Sequence, residues 1–473
     1  MTRRRSSFQV LALILTFAIA ALPAPLFASG FQLVEQNASG LGNAYAGQAA
    51  GVKNASAIYF NPAALTRVPG WNVVVSLEPI GVGTTFNDSG STRPSLGGVA
   101  FPVPAGGSGG DAGGWIPVPN GYVSGQVGER AWIGISVNAP FGLETDWEAD
   151  WLGRFHAQKS KVEAINVNPT IAFQLSDVLS VGVGADYQHL SAELGQNVAY
   201  GGISYFSAFA LGGPAAAGGI LAQLGGAPGL ALEGPALIEG TSSAWGWNAG
   251  ALLQLGEQAH VGFSYRSKVK HDVEGDATFG SAPTFAETGP LGALGAGLNA
   301  RFASGPVKTT IELPDTYSVA AAWENEGLQL LADWTYTRWE SIQSLDIVRS
   351  DDSPLTSVPL AFENTWRAGV GANVKLNEAF TLRLGTAYDK APVQDEFRTP
   401  RLPDNDRIWA AGGFEWKLSQ RARVDVGYAH LFIDDAPSSL PNQATATSTP
   451  VGALVGTYNA KVDILGAQLT LSF

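Results

Sequence analysis

The sequence offers few side chains that could perform catalysis or bind a metal ion. It contains no cysteine and five widely separated histidines, namely His156, His189, His260, His271 and His430. None of them accompanies a serine nucleophile motif, and none has the spacing of a paired metal ligand. The absence of cysteine also excludes disulfides and thiolate sites. We therefore expect no catalytic residues, no metal site and no cofactor.

A proline and a glycine interrupt a stretch that otherwise alternates like a strand, WIGISVNAPFGLETDW (132–147). Pro140 lacks the N–H that a strand ladder needs, and Gly142 loosens the backbone two residues later. Two interpretations are open: the strand ends at Pro140, or it continues and its pairing fails. In a closed membrane sheet the second case would open a window toward lipid. The window residues would be Asn138, Ala139, Pro140, Phe141 and Gly142.

Two long segments between strands are rich in large apolar side chains. Such side chains need cover, because exposed apolar patches of this size are rare. They could pack on each other as a simple cap, but we favour an apolar groove between the two segments that holds a hydrocarbon chain. The candidate groove residues are Leu143, Trp147, Trp151, Leu152 and Phe155 in the first segment and Ile203, Phe206, Phe209, Leu221 and Leu224 in the second.

A few basic residues could meet an anionic group inside the protein, since a buried carboxylate needs a cation or a hydrogen-bond donor. The candidates are His189, Arg266, Arg338 and Arg383. The inward arginines could instead pair with interior carboxylates such as Glu340, Glu415 and Asp425. We favour that structural role for them.

The elements that would position these residues are strands. In KVDILGAQLTLSF (461–473), large apolar residues alternate with small or polar ones. A soluble sandwich also alternates, but strands of about ten residues or more suit a tilted membrane crossing. Many of the 13 tryptophans lie at strand ends, as in the aromatic girdles of membrane barrels. The sequence therefore predicts an all-β fold, a 14-stranded antiparallel transmembrane β-barrel.

The fourteen strands counted from the alternation are an even number, as in single-chain bacterial barrels. Short links such as SDV, GEQ and SQR alternate with long ones, which places both termini on the periplasmic side. The predicted strands are residues 71–80, 114–127, 130–139, 162–175, 178–191, 241–255, 258–274, 307–324, 327–346, 361–376, 379–389, 407–418, 421–433 and 460–473.

The first seventy residues do not fit the strand pattern. Residues 1–28 combine three arginines, a short apolar run and small residues, which is typical of a secretory signal peptide. Residues 29–70 are small, polar and Gly-rich, and would plug the lumen that fourteen strands leave open. Within them, the motif Asn61–Pro62–Ala63 predicts a turn. The predicted domains are thus signal peptide 1–28, hatch or plug 29–70 and barrel 71–473.

The overall charge is acidic. The formal net charge of −13 becomes −16 without the three arginines of the signal peptide, which argues against a nucleic-acid partner. We expect a monomer in contact with outer-membrane lipid and a hydrophobic small molecule. Its C-terminal strand, which ends on Phe473, would be recognised by the barrel-assembly machinery.

Six blocks resemble, in order, the family of long-chain fatty acid outer-membrane transporters, which includes the toluene and xylene transporters. The first block is SGFQLVEQNASGLGNAYAGQAA (29–50), followed by Asn61–Pro62–Ala63. The later blocks are WGWNAGALLQL (245–255), YRSKVKHDVEGDA (265–277), IELPDTYSVA (311–320), YTRWESIQSL (336–345) and RLPDNDRIWAAGG (401–413). The segments 81–113 and 192–240 are the least alike.

The resemblance implies a plugged barrel in the bacterial outer membrane that takes up hydrophobic molecules without an energy-coupling partner. It also implies an outer loop site, a lumen pocket and sideways release at a kinked third strand, which favours the window at 138–142. In the fatty acid transporters basic residues on inward faces meet the carboxylate, whereas residues 186–190 and 343–346 here contain no Arg or Lys. We predict long-chain fatty acids as substrates, with neutral aromatic or alkane hydrocarbons as the alternative. A general porin or an outer-membrane lipase would be the rival functions.

Overall fold

The computed structural model describes residues 30–96, 99–442 and 450–473, so the predicted signal peptide lies outside the described residues. Fourteen strands form one antiparallel sheet, which closes where β1 pairs with β14. The strands are β1 (Trp71–Leu77 and Ile80–Asp88), β2 (Trp115–Ile116 and Pro119–Gln126), β3 (Ala131–Asp146), β4 (Lys159–Gln174), β5 (Leu179–Val198), β6 (Gly234–Leu255), β7 (Ala259–Arg266 and Val269–Phe279), β8 (Gly305–Leu313 and Thr316–Glu324), β9 (Leu328–Thr337 and Ser344–Arg349), β10 (Pro354–Pro359 and Thr365–Lys375), β11 (Phe380–Asp389), β12 (Arg407–Lys417), β13 (Ala422–Ile433 and Ala436–Leu440) and β14 (Leu454–Ser472). The predicted strand number and closed fold are confirmed.

The strand faces divide as a membrane barrel requires. Val75 on β1 is 60% exposed on the outer face, whereas its neighbour Val74 is buried in the lumen. Aromatic rings on the outer face form a row, with Tyr265 4.9 Å from both Trp247 and Tyr317 between ring centroids. Because lipid replaces water around the barrel, this row marks one membrane interface.

Several strands extend further than their alternation predicted. β1 reaches Asp88 and β3 reaches Asp146, both inside segments predicted as loops. The segment 347–360, also predicted as a loop, contributes Pro354–Pro359, which pairs with Ser344–Arg349. Above the membrane the ladder continues because backbone N–H and C=O groups still need partners, although the side chains no longer alternate.

The loops at this end contain two main helices. The longer one, Tyr200–Gln223, connects β5 to β6 and bends at Gly213 and Pro214. It is long and apolar enough to span a membrane by composition alone, but it lies in a loop above the barrel wall. The other, Gly292–Arg301, connects β7 to β8. A short hairpin (Ser95–Leu96 with Val99–Ala100) and 3₁₀ turns at Ala227–Ala231, Trp339–Ser341 and Asp395–Phe397 complete the loops.

The N-terminal residues fold inside the barrel as a plug. It contains three single-turn helices (Ala38–Leu41, Gln48–Gly51 and Ala57–Phe60) and a 3₁₀ turn (Pro62–Arg67). Wall glycines allow the plug to lie against the strands: a Cβ on Gly250 would lie 1.9 Å from Asn61 Oδ1, and one on Gly262 1.9 Å from the Ala49 carbonyl oxygen. These two close approaches fix the plug relative to β6 and β7.

Candidate functional site

Strand β3 carries a two-residue bulge at the predicted interruption. Asn138 pairs with Asn166 and Phe141 pairs with Ala164, so Ala139 and Pro140 together face the single residue Ile165 of β4. The strand then continues to Asp146, still paired with β4. The alternative in which the strand ends at Pro140 is therefore wrong, and the ladder is interrupted where the proline removes a donor.

The other edge of β3 loses its partner at the same level. The ladder between β2 and β3 ends with the pair Gly121 and Val137. Beyond this pair the described residues show no pairing of β3 with β2. The next backbone hydrogen bond that joins β3 to the segment leading into β2 runs from Asp146 N to the Ala112 carbonyl, 3.0 Å, in the loop above. A gap in the ladder thus begins beside Pro140.

Residues 30–34, which we call the leader, lie on the lumen side of this bulge. Leu33 N donates to the Pro140 carbonyl at 2.9 Å, and Gly142 N donates to the Phe31 carbonyl at 3.0 Å. At its start, Gly30 N donates to Asp404 Oδ2 at 2.9 Å. The leader therefore acts as a short strand that covers the bulge from inside.

Phe31 of the leader fills the centre of an apolar cluster in the upper lumen. Its ring lies 4.9 Å from that of Trp339 and 5.8 Å from that of Phe141 between centroids. We call this set the upper cluster; its other buried members are Ala164, Leu190, Val273, Leu313, Ile342, Phe362, Val393 and Leu402. An apolar molecule entering it would compete with Phe31 for the same volume.

Below the bulge the lumen wall is polar. Asn166 and Asn168 each donate to Asp186 Oδ1 at 2.7 Å, and Asn138 donates to Gln36 Oε1 of the plug at 2.8 Å. Asn248 accepts from Asn168 at 3.0 Å. We call these five wall residues the polar band. The wall therefore changes from apolar to polar at the bulge itself, between the pairs Phe141–Ala164 and Asn138–Asn166.

A lumen cavity of about 840 Å³, its open mouth included, lies under the leader on the side away from β3. Leu33, Tyr59 and Phe60 of the plug form one wall, while Arg266 and Arg367 lie on the barrel side. The plug side of the cavity is mixed, since Gln32 and Gln48 also line it, and the strand side is charged.

The arginines predicted as head-group contacts already have carboxylate partners. Arg266 Nη1 lies 2.6 Å from Asp186 Oδ1, and Arg383 Nη2 lies 2.7 Å from Asp425 Oδ1. Arg338 is half exposed at the rim and lies 3.3 Å from Glu340. These pairs agree with the structural role favoured for them, and a contact with substrate stays a prediction.

The prediction for His189 is wrong. Alternation along β5 buries Gln188 and Leu190 in the lumen, which leaves His189 exposed on the outer face. There its Nδ1 lies 3.0 Å from Ser243 Oγ. Among the described residues no carboxylate pairs with His189, so this contact lacks the third member of a catalytic triad.

The predicted groove residues separate into three groups. Leu143 packs against the upper cluster. Trp147 and Trp151 stack at 4.4 Å and, with Leu152, pack near β1 and β14. Phe155 packs with Ile203, Phe206 and Leu224 of the long loop helix, while Phe209 is exposed and Leu221 is half-buried at its edge. The predicted single groove is thus wrong for Leu143, Trp147, Trp151 and Leu152, and only Phe155 of the first segment packs with the second. The cause is that β3 continues past Pro140 to Asp146, so the residues that follow it pack beside β1, β13 and β14.

The motif Asn61–Pro62–Ala63 is buried against β4, β5 and β6. Asn61 Oδ1 accepts from Ala63 N at 3.0 Å, while its Nδ2 donates to the carbonyls of Ala49 at 2.7 Å and Ala251 at 3.1 Å. One side chain therefore starts the 3₁₀ turn and also ties the plug to the wall.

Glu35 of the plug is a buried acid close to the leader. Burial raises its pKa to about 7, opposed by its backbone hydrogen bond and by Arg407. The group therefore titrates near neutral pH while the plug is seated.

Sequence reasoning did not single out Phe31 or the segment 390–406, which supplies Val393 and Leu402 to the upper cluster. Phe31 lies in the first block that resembles the transporter family, and Leu402 lies in the last. Neither block shows by itself what its side chains contact.

Comparisons with known proteins agree with this geometry. The family described as "Outer membrane protein transport protein (OMPP1/FadL/TodX)" matches residues 19–473. The long-chain fatty acid transport protein of Escherichia coli K12 is 27% identical over 428 residues, 88% of this chain and 91% of that protein. Outer membrane protein P1 of Haemophilus influenzae Rd is 28% identical over 423 residues, 85% of this chain and 86% of that protein.

Solved structures show the same fold. A FadL homologue from Pseudomonas aeruginosa superposes with a TM-score of 0.81 at 24% identity, covering 94% of this chain and all of that one. The Pseudomonas putida toluene transporter TodX gives 0.56 at 15% identity, covering 89% and 94%. The protein is thus a hydrophobic-compound transporter of the Gram-negative outer membrane, and it belongs to the OMPP1/FadL/TodX family of outer-membrane transport proteins.

Proposed function

We propose that the protein takes up long-chain fatty acids passively, from a loop site through the upper cluster and out sideways between β2 and β3. The observation that carries this proposal is the coincidence of two changes close to Pro140. The β2–β3 ladder ends at Val137, three residues before Pro140, and the lumen wall changes from apolar to polar between Phe141 and Asn138. Movement of an apolar molecule from the upper cluster down past the polar band is unfavourable. The polar side chains of the band would lose their hydrogen-bond partners and gain none from the molecule. The gap beside it leads to lipid.

Entry would occur where the long loop helix meets its neighbours. Phe206 is half-buried and stacks on Phe101 at 5.3 Å between centroids. Phe209, three residues further along the same helix, is 49% exposed. A long aliphatic chain can lie along these side chains before it reaches the upper cluster.

Neutral hydrocarbons are the second candidate substrates. The observation that favours them is that Arg266 and Arg383 are paired with carboxylates of the wall. A fatty acid would have to share or displace those partners, whereas a neutral molecule would not.

Competition between substrate classes is tested by native mass spectrometry from a mild detergent, with fatty acids and alkanes offered together. Preferential retention of the fatty acid supports the first proposal, and preferential retention of the alkane supports the second. Retention of neither class would contradict both. Rapid swelling of proteoliposomes in small sugars would indicate an open porin instead.

The side exit is tested by closing it. The chain has no cysteine, so the double variant Asn120→Cys, Asn138→Cys can be oxidised without competing thiols. The matched control is Val123→Cys, Ile135→Cys, a pair within the β2–β3 ladder whose side chains lie on the outer face, away from the plug. Oxidation is expected to stop transfer of bound fatty acid to the bilayer in the first variant and not in the control. Equal transfer in both would contradict release through the gap.

A further inference from the structure

Arg401, in the loop between β11 and β12, is a buried cation that has no carboxylate partner in the described part of the chain. Four arginines among the described residues are buried: Arg154, Arg367, Arg398 and Arg401. The first three each have a carboxylate within ion-pair distance, and Arg401 has none among the described residues. Burying an unpaired charge costs free energy, and a bound anion would offset this cost at Arg401.

The hydrogen bonds of Arg401 are all to neutral oxygens. Its Nη1 donates to the Lys159 carbonyl at 3.3 Å and to Ser160 Oγ at 3.1 Å, and its Nη2 donates to Gln196 Oε1 at 2.8 Å. A guanidinium has five N–H donors, so these three bonds leave about two donors for a further acceptor. Burial lowers the pKa of Arg401 to about 10, which still leaves it charged at neutral pH.

The position of Arg401 is suitable for binding the head group of an elongated amphiphile. Ser160, Val162 and Ala164 follow each other on the lumen face of β4, and Ala164 is the partner of Phe141 at the bulge. Ser160 and Ala164 are four residues apart, or about 13 Å along the strand. Leu402, the next residue after Arg401, belongs to the upper cluster. A cation therefore stands at the upper end of an apolar surface that leads down to the gap.

We propose that Arg401 binds the carboxylate of a fatty acid whose chain lies in the upper cluster in place of Phe31. This rests on the proposed function and names the residue that selects an acid over a neutral molecule. Arg266 and Arg383 are neutralised by wall carboxylates, whereas Arg401 has no carboxylate partner among the described residues and lies next to Leu402 of the upper cluster. The carboxylate would form charge-assisted hydrogen bonds with the two remaining donors.

The test compares binding of oleate and oleyl alcohol, which differ in the head group, to the wild type and to Arg401→Gln by native mass spectrometry. We expect Arg401→Gln to weaken oleate binding by about tenfold to a hundredfold, the range for a hydrogen bond to a charged group, and to leave the alcohol unchanged. Arg401→Lys should recover part of the oleate affinity, because it keeps the charge but loses the forked geometry.

The control is Arg349→Gln, since Arg349 also donates to backbone carbonyls, those of Ala303 and Arg301, but lies away from the upper cluster. Heat-modifiable gel mobility confirms that each barrel is folded. Equal loss of oleate and alcohol would show that Arg401 only holds its loop, and no loss of either would also overturn the proposal. Failure of the wild type to bind either probe would contradict the proposed function instead.

Discussion

Replacing Phe31 by alanine should increase the affinity of the protein for apolar molecules. In the seated leader Phe31 is 8% exposed and contacts the rings of Trp339 and Phe141. Burial of its ring contributes about 2 kcal/mol and the two aromatic contacts about 1 kcal/mol more. Loss of the ring would therefore lower the free energy of releasing the leader by about 3 kcal/mol. The population of the released state would rise roughly a hundredfold.

The change in affinity follows from competition for one volume. A ligand that binds only after the leader has moved has an apparent affinity reduced by the fraction of molecules in that state. Phe31→Ala removes this penalty, so the affinity for oleyl alcohol should rise, by at most about a hundredfold. A neutral probe is used so that no head-group contact contributes.

Phe362→Ala is the matched control for this experiment. Phe362 also lies in the upper cluster, 5.9 Å from Trp339 between ring centroids, but it belongs to the wall rather than to the leader. Its loss removes a contact with the ligand and should weaken binding. If Phe31→Ala weakens binding as Phe362→Ala does, Phe31 is part of the ligand's surroundings and not its competitor, and the reasoning fails.

Three further predictions concern the wall, the base of the plug and pH. Deleting Pro140 removes the bulge, because Ala139 alone would then face Ile165 in the β3–β4 register. We expect a folded barrel with slower transfer of fatty acid to lipid, and unchanged transfer would contradict the side exit. Arg67 Nη2 lies 2.7 Å from Glu324 at the base of the plug, so Arg67→Gln should loosen the plug by about 1–3 kcal/mol and raise the sugar permeability of proteoliposomes, and an unchanged permeability would mean that other contacts hold it. Glu35 keeps its proton up to about pH 7 while the plug lies in the lumen, but only up to about pH 4.5 once the plug is released. Deprotonation therefore favours release, and the plug is held less tightly as the pH rises through this range. The affinity for oleyl alcohol should therefore rise with pH in the wild type and stay constant in Glu35→Gln. A parallel rise in both would show that Glu35 is not the cause of the pH dependence.

Much of the barrel was predictable because strand alternation is a local property. The fourteen strands, their short periplasmic turns and the break at Pro140 are each visible within about ten to twenty residues of sequence. The extension of β3 to Asp146 was not, because a ladder above the membrane is held by its neighbour and needs no alternation of its own. That extension is what moved Trp147 and Trp151 away from the predicted groove.

The candidate site was less predictable, since its contacts join residues that are distant in the chain. His189 was assigned to the lumen, although its position in the alternation of β5 puts it outside. Phe31 meets Trp339 only because the leader folds back inside the closed wall.

The membrane barrel, the plug and the irregularity of β3 at Pro140 could all be predicted from the amino-acid sequence. Each follows from residue types that act locally, through strand alternation, glycine and proline. The folded barrel was needed to show that Phe31 lies in the upper cluster and that Arg401 has no carboxylate partner among the described residues. Arg401 and Ser160 are 241 residues apart, and which groups meet across a lumen depends on the closure and register of the whole barrel.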